Sequence, residues 1–371
     1  MKLLYIANIN MPTPWAHGIQ IMKMSEAFAN AGIETELIVP RRFNKIKEDP
    51  FEYYGVESKF KIVKLPCIDL MPLGAGKFIF LLEKFSFLLS VKIYLAFKKF
   101  DIFYTREHLA GLFFKDFILE THVLPTEIKK FHIKIWQRAK KILVLTDFIK
   151  EGIMAKGIME DKILISSDGV DLNKFNLDIS SADARKKVNL PLNKKLIIYS
   201  GSFSLYSWKG VDVLLAAAQH FNSDELVVLV GGSKAEIEKI KSKIKSKNIL
   251  LVGRQPYSLI PYYLKSADVL VLPNKKGDVM SEKYTSPLKL FEYMASSRPI
   301  VASALSSLQE ILNNNNAILV EPNNPEGLAI GLRTVLNNKN LAEKISMQAL
   351  NDVKEYTWDK RVKKIINFIS K

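Results

Sequence analysis

The sequence predicts an α/β protein made of two doubly wound domains, each built on a parallel sheet. Short runs rich in Val, Ile and Leu alternate with segments of helical length along the chain, which is typical of parallel strands joined by crossover helices. The 371 residues exceed what one ordinary core accommodates. A polar stretch without strand character, Asp171 to Lys195, separates two series of runs, so each half is expected to fold around its own sheet.

The apolar runs give the predicted strands and the domain boundaries. Those of the first half are LLYIAN, TELIVP, FKIVKLP, DIFYTR, FILETH, KILVLTD and KILISS. Those of the second half are KLIIYSG, LVVLVGG, NILLVGR, DVLVLPN, PIVAS and AILVEP. We predict a first domain at 1–175, a linker at 176–194, a second domain at 195–355, and a C-terminal amphipathic helix at 356–371. Such a helix needs a surface to cover, and the first domain is the candidate.

The composition is that of a globular protein that favours acidic partners. Apolar residues make up 48%, charged residues 25%, and the formal charge is +16, which suits nucleic acid, anionic lipid or phosphorylated small molecules. Nucleic-acid binding is not predicted, because no helix-turn-helix, zinc or RNA-stacking motif is recognisable. The single cysteine, Cys67, allows neither a disulfide nor a thiolate metal site within the chain, so a reducing, cytosolic compartment is expected.

The most apolar segment is FIFLLEKFSFLLSVKIYLAF, Phe78 to Phe97. Glu83, Lys84 and Lys92 interrupt it, so no run approaches the roughly 20 apolar residues of a membrane span. We predict a helix that either lies in the core of the first domain or docks on a membrane surface. The chain start, MKLLYIANIN, is predicted to be the first strand and not a signal peptide.

One predicted helix carries an acid among apolar residues. In SPLKLFEYMA, Ser286 suits the N-cap and Pro287 the first helical position. Lys289 then lies in the first turn and shares a face with Glu292, three residues later. Because a buried carboxylate must be paired or hydrogen-bonded, two interpretations remain. One is an internal Lys289–Glu292 ion pair, and the other is a ligand that carries both negative charge and hydroxyl groups.

The position of this helix favours a ligand. It follows the predicted strand DVLVLPN and a polar loop, and ligands of open parallel sheets bind beyond the carboxyl ends of the strands. The free N–H groups and the dipole of a helix N-terminus attract anions. Pro287, Leu288 and Lys289 are therefore predicted to border an anion site.

In these residues the sequence resembles the retaining GT-B glycosyltransferases, in particular family 4, which move a sugar from a nucleotide diphosphate onto an acceptor. The resemblance spans nearly the whole chain and is strongest in SPLKLFEYMASSRPIVAS, YSGSFSLYSWKGVDVLLAAA and ISSDGVDLNKF, with support from HGIQIMKMSEAFANAGIETELIVP. It implies two Rossmann-like domains facing an interdomain cleft. It also implies a hexosyltransferase that uses a UDP- or GDP-sugar as co-substrate and no further cofactor.

The resemblance further implies a glycan or lipid-linked acceptor, in the synthesis of a cell-surface polysaccharide or glycolipid. We expect the protein in the cytoplasm. Its basic charge and the apolar helix of its first domain suit peripheral contact with the cytoplasmic face of an anionic membrane.

The resemblance assigns donor-site residues in the second domain. Glu292 matches the glutamate that accepts hydrogen bonds from the ribose diol. Lys209, in SWKG, matches the basic residue that binds the diphosphate and stabilises the charge growing on the leaving phosphate. Gly201 ends a predicted strand, and Arg254 and Gln255 follow another strand end, so all three are expected to face the nucleotide. A surface position is the alternative for Arg254.

Two positions depart from the family pattern. Ser202 stands where the family commonly has an arginine, and Lys289 is the candidate substitute for the missing charge. Tyr284 stands where the family often has a second glutamate, eight residues before Glu292. Glu282, two residues away, either reaches the sugar by a different loop path as a catalytic residue or that role is absent.

In the first domain the resemblance assigns Gly18 and His122. Gly18 lies before a helix expected to begin near Ile19 and matches a small residue that lets the backbone approach the donor phosphates and the acceptor; an ordinary turn glycine is the alternative. His122, in LETHVLP, matches a histidine near the anomeric carbon that hydrogen-bonds the sugar and assists proton movement. Without the resemblance, a histidine after a strand is usually structural.

We expect no catalytic metal, because the chain has no Asp-x-Asp motif and its five histidines are scattered. Lys209, Lys289 and the helix dipole would then stabilise the leaving group in a front-face retaining transfer. The alternatives are a sugar-nucleotide epimerase or hydrolase on the same scaffold, and a non-catalytic partner that binds a nucleotide sugar.

Overall fold

The computed structural model describes residues 1–70, 76–203 and 207–370. They form two compact units, each with one parallel sheet. The first unit comprises Met1–Ser167 together with Trp358–Lys371, and the second comprises Asp168–Thr357. The predicted fold class of two doubly wound α/β domains is confirmed.

Every predicted strand is present. The strands are β1 (Lys2–Ile6), β2 (Glu34–Arg41), β3 (Lys61–Pro66), β4 (Ile102–Thr105), β5 (Phe117–Thr121), β6 (Lys141–Val144), β7 (Ile163–Ile165), β8 (Lys195–Ser200), β9 (Glu225–Val230), β10 (Ile249–Gly253), β11 (Val269–Leu272), β12 (Ile300–Ser303) and β13 (Ile318–Val320). The helices are α1 (Ala16–Asn30), α2 (Pro50–Tyr54), α3 (Lys77–Ala96), α4 (Ala110–Phe113), α5 (Lys130–Arg138), α6 (Asp147–Met154), α7 (Leu172–Phe175), α8 (Ser181–Lys187), α9 (Val211–Ala217), α10 (Lys234–Lys241), α11 (Ile260–Lys265), α12 (Leu288–Ala295), α13 (Ser306–Gln309), α14 (Pro325–Asn337), α15 (Lys339–Asp352) and α16 (Trp358–Ile369).

The two sheets share the same type of strand order. The first unit has a seven-stranded sheet with the order β3-β2-β1-β4-β5-β6-β7, and the second a six-stranded sheet with the order β10-β9-β8-β11-β12-β13. In each sheet the order reverses once, between β1 and β4 and between β8 and β11. These reversals mark where ligands bind in open parallel sheets, beyond the carboxyl ends of the strands.

The central strands of the second sheet, β8, β11 and β12, are buried. Along β8, Leu196 and Ile198 pack into one core cluster, whereas Ile197 and Tyr199 pack into another. Because successive strand residues point to opposite faces, a strand covered on both sides is a continuous apolar run and not an alternating pattern. This property made the strands recognisable in the sequence.

The units divide at other places than the sequence suggests. The second unit begins at Asp168, so the segment predicted as a linker, 176–194, belongs to it. Arg185 of α8 donates from Nε to the carbonyl oxygen of Ser266 at 2.9 Å and pairs with Asp268 at 2.7 Å. Arg185 is only 6% exposed, so this polar-looking segment is anchored in the unit through an arginine, which composition alone does not indicate.

The C-terminal helix belongs to the first unit. α16 packs on α1, and its Val362 and Ile365 are fully buried. Arg361, one residue before Val362, is also buried. The amphipathic pattern therefore predicted both the helix and the need for a surface, and the first unit provides that surface.

Two helices begin elsewhere than predicted. α12 begins at Leu288, because Pro287 is its N-cap with an extended ψ of 131°, and Ser286 lies outside the helix. α1 begins at Ala16, and the N–H of Gly18 already donates to the carbonyl oxygen of Trp15 at 3.0 Å. Gly18 is therefore inside the first turn of α1 and not in a loop before it.

The apolar segment Phe78 to Phe97 forms α3, which packs against β3 with one face. Phe87, Leu88 and Val91 on that face are fully buried. Among the residues that the structure describes, no helix is both long enough and apolar enough to cross a membrane.

Candidate functional site

The turn Ser207–Lys209 is held where the strand order of the second sheet reverses. Gly210, the N-cap of α9, has a φ of +69°. A Cβ on Gly210 would lie 1.7 Å from the carbonyl oxygen of Pro273, just after β11, so only glycine permits this approach. The N–H of Lys275 donates to the carbonyl oxygen of Trp208 at 2.7 Å. These contacts hold Lys209 beside the carboxyl ends of β8 and β11.

Lys209 and Lys289 converge on the turn that follows β8. Lys209 Nζ donates to Ser202 Oγ at 2.7 Å. Lys289 Nζ lies 4.0 Å from the centroid of the Tyr199 ring and 3.7 Å from the position that a Cβ on Gly201 would take. The structure therefore brings together four of the predicted residues at one strand end, Gly201, Ser202, Lys209 and Lys289. Two cationic groups on adjoining elements suit a ligand with more than one negative charge.

Both ammonium groups are electrostatically strained. Lys289 Nζ is buried without a hydrogen-bond partner among the residues that the structure describes. Burial, followed by repulsion from Lys209, holds the pKa of Lys289 well below its usual range. Burial also lowers the pKa of Lys209 to about 8, with Glu236 acting in the opposite direction. An anion bound here would restore the charged form of both groups.

Glu292 does not form the ion pair with Lys289 that was one interpretation of the sequence. It is 6% exposed, and in the described part of the chain its partner is Tyr257, whose Oη donates to Oε1 at 2.9 Å. Burial raises the pKa of Glu292 to about 7, against the opposing effects of Tyr257 and Lys289. Oε2 remains without a protein donor among the described residues, so the carboxylate can still accept hydroxyl groups.

The helix that carries these two charges is firmly placed. Tyr293 Oη accepts the backbone N–H of Ser200, the last residue of β8, at 2.7 Å. Leu288, at the start of α12, and Leu290 and Phe291 are buried. Pro287 precedes the helix in an extended conformation. Lys289, in the first turn of α12, brings this end of the helix close to Gly201 after β8.

Three further polar side chains in the segment between β11 and α12 lack partners. Buried polar atoms of Asn274, Ser281 and Ser286 have no hydrogen-bond partner within the described ranges. Buried polar groups in proteins are nearly always hydrogen-bonded. Their concentration in this segment favours a polar ligand at these strand ends.

Glu282 has a structural contact of its own. It lies in a π-helical turn, Met280–Tyr284, and its Oε1 accepts the backbone N–H of Gly277 at 2.6 Å. The side chain thus closes the loop in which it stands, while the neighbouring Tyr284 is half-buried. A catalytic role for Glu282 stays a prediction.

Arg254 and Gln255 are farther from the two lysines. They follow β10, which is two strands away from β8, or about 10 Å at the usual strand spacing. Arg254 is exposed, and Gln255 Nε2 donates back to the carbonyl oxygen of Val252 at 3.3 Å. Both lie at the predicted edge of the sheet, and their contact with a nucleotide stays a prediction.

In the first unit, Glu120 is the centre of a buried hydrogen-bond network at the end of β5. Its carboxylate, 1% exposed, accepts from Gln20 Nε2 (2.8 Å), Tyr104 Oη (2.5 Å), His122 Nε2 (2.6 Å) and Arg361 Nη2 (2.8 Å). Burial would raise the pKa of Glu120, but Arg361 and His122 outweigh it and hold the pKa well below the usual range.

His122 is held on both sides of its ring. Nε2 bonds to Glu120, and Nδ1 lies 3.0 Å from Nη2 of Arg106. Because an arginine only donates, Nδ1 is the acceptor and the ring proton is assigned to Nε2. Arg106 is held in turn by Gln20 Oε1 at 2.8 Å. A sugar hydroxyl would reach the Nδ1 atom of His122 only by replacing Arg106.

Gly18 has a steric reason to be glycine. A Cβ on it would lie 2.2 Å from Tyr54 Oη and 2.7 Å from Thr13 Cγ2. Tyr54 Oη in turn bonds both the N–H and the carbonyl oxygen of Thr13, each at 2.7 Å. This packing accounts for Gly18 without a ligand, so its contact with donor phosphates stays a prediction.

Sequence reasoning missed several residues of these two sites: Tyr257, Arg106, Gln20, Tyr104 and Arg361. The sequence pattern could have identified Arg361, because this charged residue lies on the apolar face of an amphipathic helix, as Glu292 does. The others come from strands, helices or turns distant in sequence, so their contacts depend on the folded chain.

Two half-buried histidines of the first unit predict that acid destabilises it. Burial lowers the pKa of His17 to about 4, with Arg106 and His122 adding to the effect, and burial lowers the pKa of His108 to about 4. Each group therefore contributes stability that is present above pH 6.5 and is lost as the pH falls toward 4. We expect the free energy of unfolding of the full chain, measured with urea, to fall by up to about 3 kcal/mol per histidine over this range.

The matched variants are His108→Gln and His220→Gln, the latter on the exposed surface of the second unit. His108→Gln should flatten the dependence of the unfolding free energy on pH, whereas His220→Gln should leave it unchanged. An unaltered slope in His108→Gln would contradict the assignment.

The comparisons with known proteins fit this geometry. Two Rossmann-like sheets with helices, and a basic site at the switch point of the second, define the GT-B class of glycosyltransferase fold. Residues 180–352 match the family model described as glycosyl transferases group 1. The matched residues lie within the second unit, Asp168–Thr357.

Individual relatives are distant. The putative colanic acid biosynthesis glycosyl transferase WcaI of Escherichia coli is 27% identical over 191 residues, or 49% of this chain and 46% of the relative. The first curated relatives align over 46 to 58% of their own length, so the chain spans about half the length of the curated relatives it matches.

Solved structures match over the whole chain. Sucrose-phosphate synthase from Thermosynechococcus elongatus has a TM-score of 0.79 at 19% identity, covering 100% of this chain and 98% of that one. HepE from Anabaena, solved in complex with UDP and glucose, has a TM-score of 0.76 at 13% identity, covering 100% and 99%. At these identities the likeness establishes the fold.

Proposed function

We propose that this chain is a retaining glycosyltransferase of the family 4 type. It moves a hexose from a UDP- or GDP-sugar onto a glycan or lipid-linked acceptor, in the synthesis of a cell-surface polysaccharide or glycolipid. The observation that carries the proposal is the convergence of two lysines on the turn Gly201–Ser202. They are Lys209 and the buried Lys289, whose Nζ has no hydrogen-bond partner among the described residues. The complexes of HepE with UDP and glucose, and the part of WcaI in colanic acid biosynthesis, support this donor and acceptor class.

In this proposal the donor diphosphate lies against the two lysines and the N-terminus of α12. Glu292 accepts hydrogen bonds from the ribose diol through Oε2, while Tyr257 holds Oε1 at 2.9 Å. Lys289 supplies the charge that the family commonly places on an arginine at Ser202. The raised pKa of Glu292 and the lowered pKa of Lys289 both return toward normal when ligand hydroxyls and phosphates replace water.

The proposed chemistry is a front-face transfer. The bond between the anomeric carbon and the diphosphate oxygen breaks, and the acceptor oxygen bonds to the same face of that carbon. The acceptor proton passes to the departing phosphate oxygen. Lys209 and Lys289 stabilise the negative charge that grows on the leaving diphosphate, which is the type of interaction that lowers a barrier most.

The remaining predicted residues keep their proposed roles. His122 hydrogen-bonds the sugar through Nδ1 once Arg106 releases it, and Glu282 reaches the sugar if its loop rearranges. Gly18 borders the donor phosphates, and Arg254 and Gln255 border the nucleotide. The reaction needs no metal or cofactor, because the charge on the diphosphate is met by lysines. We place the enzyme in the cytoplasm, in peripheral contact with an anionic membrane.

The proposal is tested with a panel of nucleotide sugars. A cognate donor at about 100 times its Kd should stabilise the protein by roughly 2.7 kcal/mol, which raises the melting temperature measurably. Transfer should continue with a chelator present and give an anomer of the same configuration as the donor. Lys209→Ala should lower kcat about 100- to 1000-fold, because the leaving diphosphate loses its direct charge partner.

Lys275→Ala is the matched control, since Lys275 pairs with exposed Asp212 near the same strand ends and should transfer normally. Donor consumption without acceptor would instead indicate an epimerase or hydrolase. A normal rate in Lys209→Ala would favour a non-catalytic binder. A melting temperature that no nucleotide sugar in the panel raises would refute the proposal.

A further inference from the structure

Helix α3 of the first unit exposes an apolar stripe along its whole length. While Phe87, Leu88 and Val91 are buried against the unit, the opposite face carries large apolar side chains at intervals of three or four residues. These side chains, 42 to 84% exposed, form what we call the α3 stripe: Phe78, Leu81, Phe85, Leu89, Ile93 and Phe97. A helix of 20 residues is about 30 Å long, so the stripe is long and continuous.

Such a surface is unusual on a soluble protein. Single exposed apolar residues are normal, whereas contiguous apolar patches mark interaction sites. The stripe is widened by α4, because the ring of Phe113 lies 5.8 Å from that of Phe85 and Leu112 is 40% exposed. The backbone N–H of Ile68, a residue that is 47% exposed, donates to Ser86 Oγ. The apolar surface therefore extends beyond one helix.

The charged side chains that residues 78–99 expose are all positive. Lys92 is exposed beside Ile93, and Lys99 is exposed two residues after Phe97. Lys98, between Phe97 and Lys99, is exposed as well but pairs with Glu36 at 2.9 Å, so Lys92 and Lys99 are the cations available to a partner. The acid in this helix, Glu83, is fully buried and pairs with Arg42 at 2.9 Å. Residues 78–99 thus present apolar side chains and lysines to solvent, without an exposed carboxylate.

We propose that the α3 stripe docks this chain onto an anionic lipid bilayer. A helix with this pattern lies in the plane of the interface, with apolar side chains in the boundary between headgroups and acyl chains. Lysines at its edge extend their amines to lipid phosphates while their stems cover apolar surface. A second copy of the chain is a poorer occupant, because each copy carries a formal charge of +16 and the two would repel.

This inference deepens the proposed function. Only the reason for docking rests on that function, whereas the docking surface does not. A lipid-linked acceptor is held at a membrane surface, so docking by α3 would keep the enzyme where its substrate is. The stripe itself is observed independently of the donor site. The docking surface is therefore testable without any sugar.

The test is flotation of the full chain with vesicles. Wild-type protein should bind vesicles of phosphatidylcholine with phosphatidylglycerol at least about tenfold more tightly than pure phosphatidylcholine vesicles, and added salt should weaken this binding. Leu89→Glu combined with Ile93→Glu should lower binding at least about tenfold, since two charges enter the apolar face.

The matched control is Ile330→Glu combined with Met347→Glu, at exposed apolar positions of the second unit, 61% and 72% exposed. It should bind vesicles like wild type. Circular dichroism and the thermal shift with nucleotide sugar, measured without vesicles, check that both double variants are folded. These measurements also separate the two proposals, because donor binding can persist when vesicle binding is absent.

Three results would overturn the inference. The first is that wild-type protein binds neutral vesicles as tightly as anionic ones, or binds neither. The stripe variant could bind as tightly as its control. Sedimentation could also show a wild-type dimer that the stripe variant loses, which would assign the stripe to a second copy of the chain.

Discussion

Lys289→Met should make the nucleotide-free protein more stable and, at the same time, slow sugar transfer about a hundredfold or more. The Nζ atom of Lys289 is buried without a hydrogen-bond partner among the described residues, and an unsatisfied buried donor costs about 1–3 kcal/mol. Methionine fills a similar volume without a polar group. In the proposed reaction, transfer slows because the leaving diphosphate loses a cation at the moment its charge grows.

The two effects are measured by urea or thermal unfolding without nucleotide and by initial rates at saturating donor. For a domain of this size, each kcal/mol is expected to move the melting temperature by roughly 2–4 °C. Lys275→Met is the control, because Lys275 is paired with Asp212 at 2.8 Å near the same strand ends and partly exposed. It should change stability by less than about 0.5 kcal/mol. If Lys289→Met lowered both stability and rate, the lysine would be a structural residue.

The carboxyl group of Glu292, like Lys289, lowers the stability of the nucleotide-free protein at neutral pH. Its folded pKa of about 7 lies above the ordinary value of 4.5. The neutral carboxyl therefore stabilises the fold fully below pH 4.5, and this contribution is lost as the pH rises through 7. At neutral pH, Lys289 and Glu292 both disfavour the nucleotide-free state. Their opposite shifts are what a site for a ligand with phosphates and a diol would show, because each ligand group restores one charged form.

The strands were predictable because of how parallel sheets are buried. Runs such as LIIY in β8, Leu196 to Tyr199, are covered on both faces and are therefore apolar at every position. The glycine and lysine of SWKG could be placed near a strand end for a similar reason, since the loop that follows a parallel strand borders the ligand site. Local pattern and the rules of sheet topology were sufficient here.

Partners that meet only in the folded chain were not predictable. Tyr257 precedes Glu292 by 35 residues, and Arg361 follows Glu120 by 241, so no periodicity links them. The boundary of the second unit at Asp168 was missed because Arg185 anchors a segment that appears polar. Ser286 was wrong as an N-cap because the extended Pro287 takes that position.

A charge on an apolar face proved to be the most informative local signal. It singled out Glu292, and it applies equally to Arg361, which shares the buried face of α16 with Val362 and Ile365. Both charged side chains are buried, and each forms a hydrogen bond inside the protein. The two charges differ in their hydrogen bonds. Arg361 donates to Glu120 of the same chain, whereas Glu292 retains an oxygen without a protein donor in the described ranges.

Arg361→Met should therefore destabilise the first unit by about 3–5 kcal/mol, the usual cost of leaving one member of a buried ion pair alone. Glu120 is fully buried, and its carboxylate would lose the 2.8 Å contact with Arg361. The low pKa of Glu120 contributes stability that is present above pH 4.5 and lost in acid. The deficit of Arg361→Met should accordingly be largest at neutral pH and shrink as the pH falls, which urea unfolding at several pH values can measure.

The double variant Arg361→Met with Glu120→Gln distinguishes a lost ion pair from lost packing. Glutamine removes the buried charge and keeps one carbonyl oxygen that can accept from His122 Nε2, while its amide group can donate to Tyr104 Oη. The double variant should therefore be more stable than the sum of the single changes implies. Lys364→Met, on the exposed face of the same helix, should have little effect. Strict additivity of the two substitutions would show that α16 is held by its apolar contacts alone. Coupling would show that the C-terminal helix also fixes the carboxylate that orients His122.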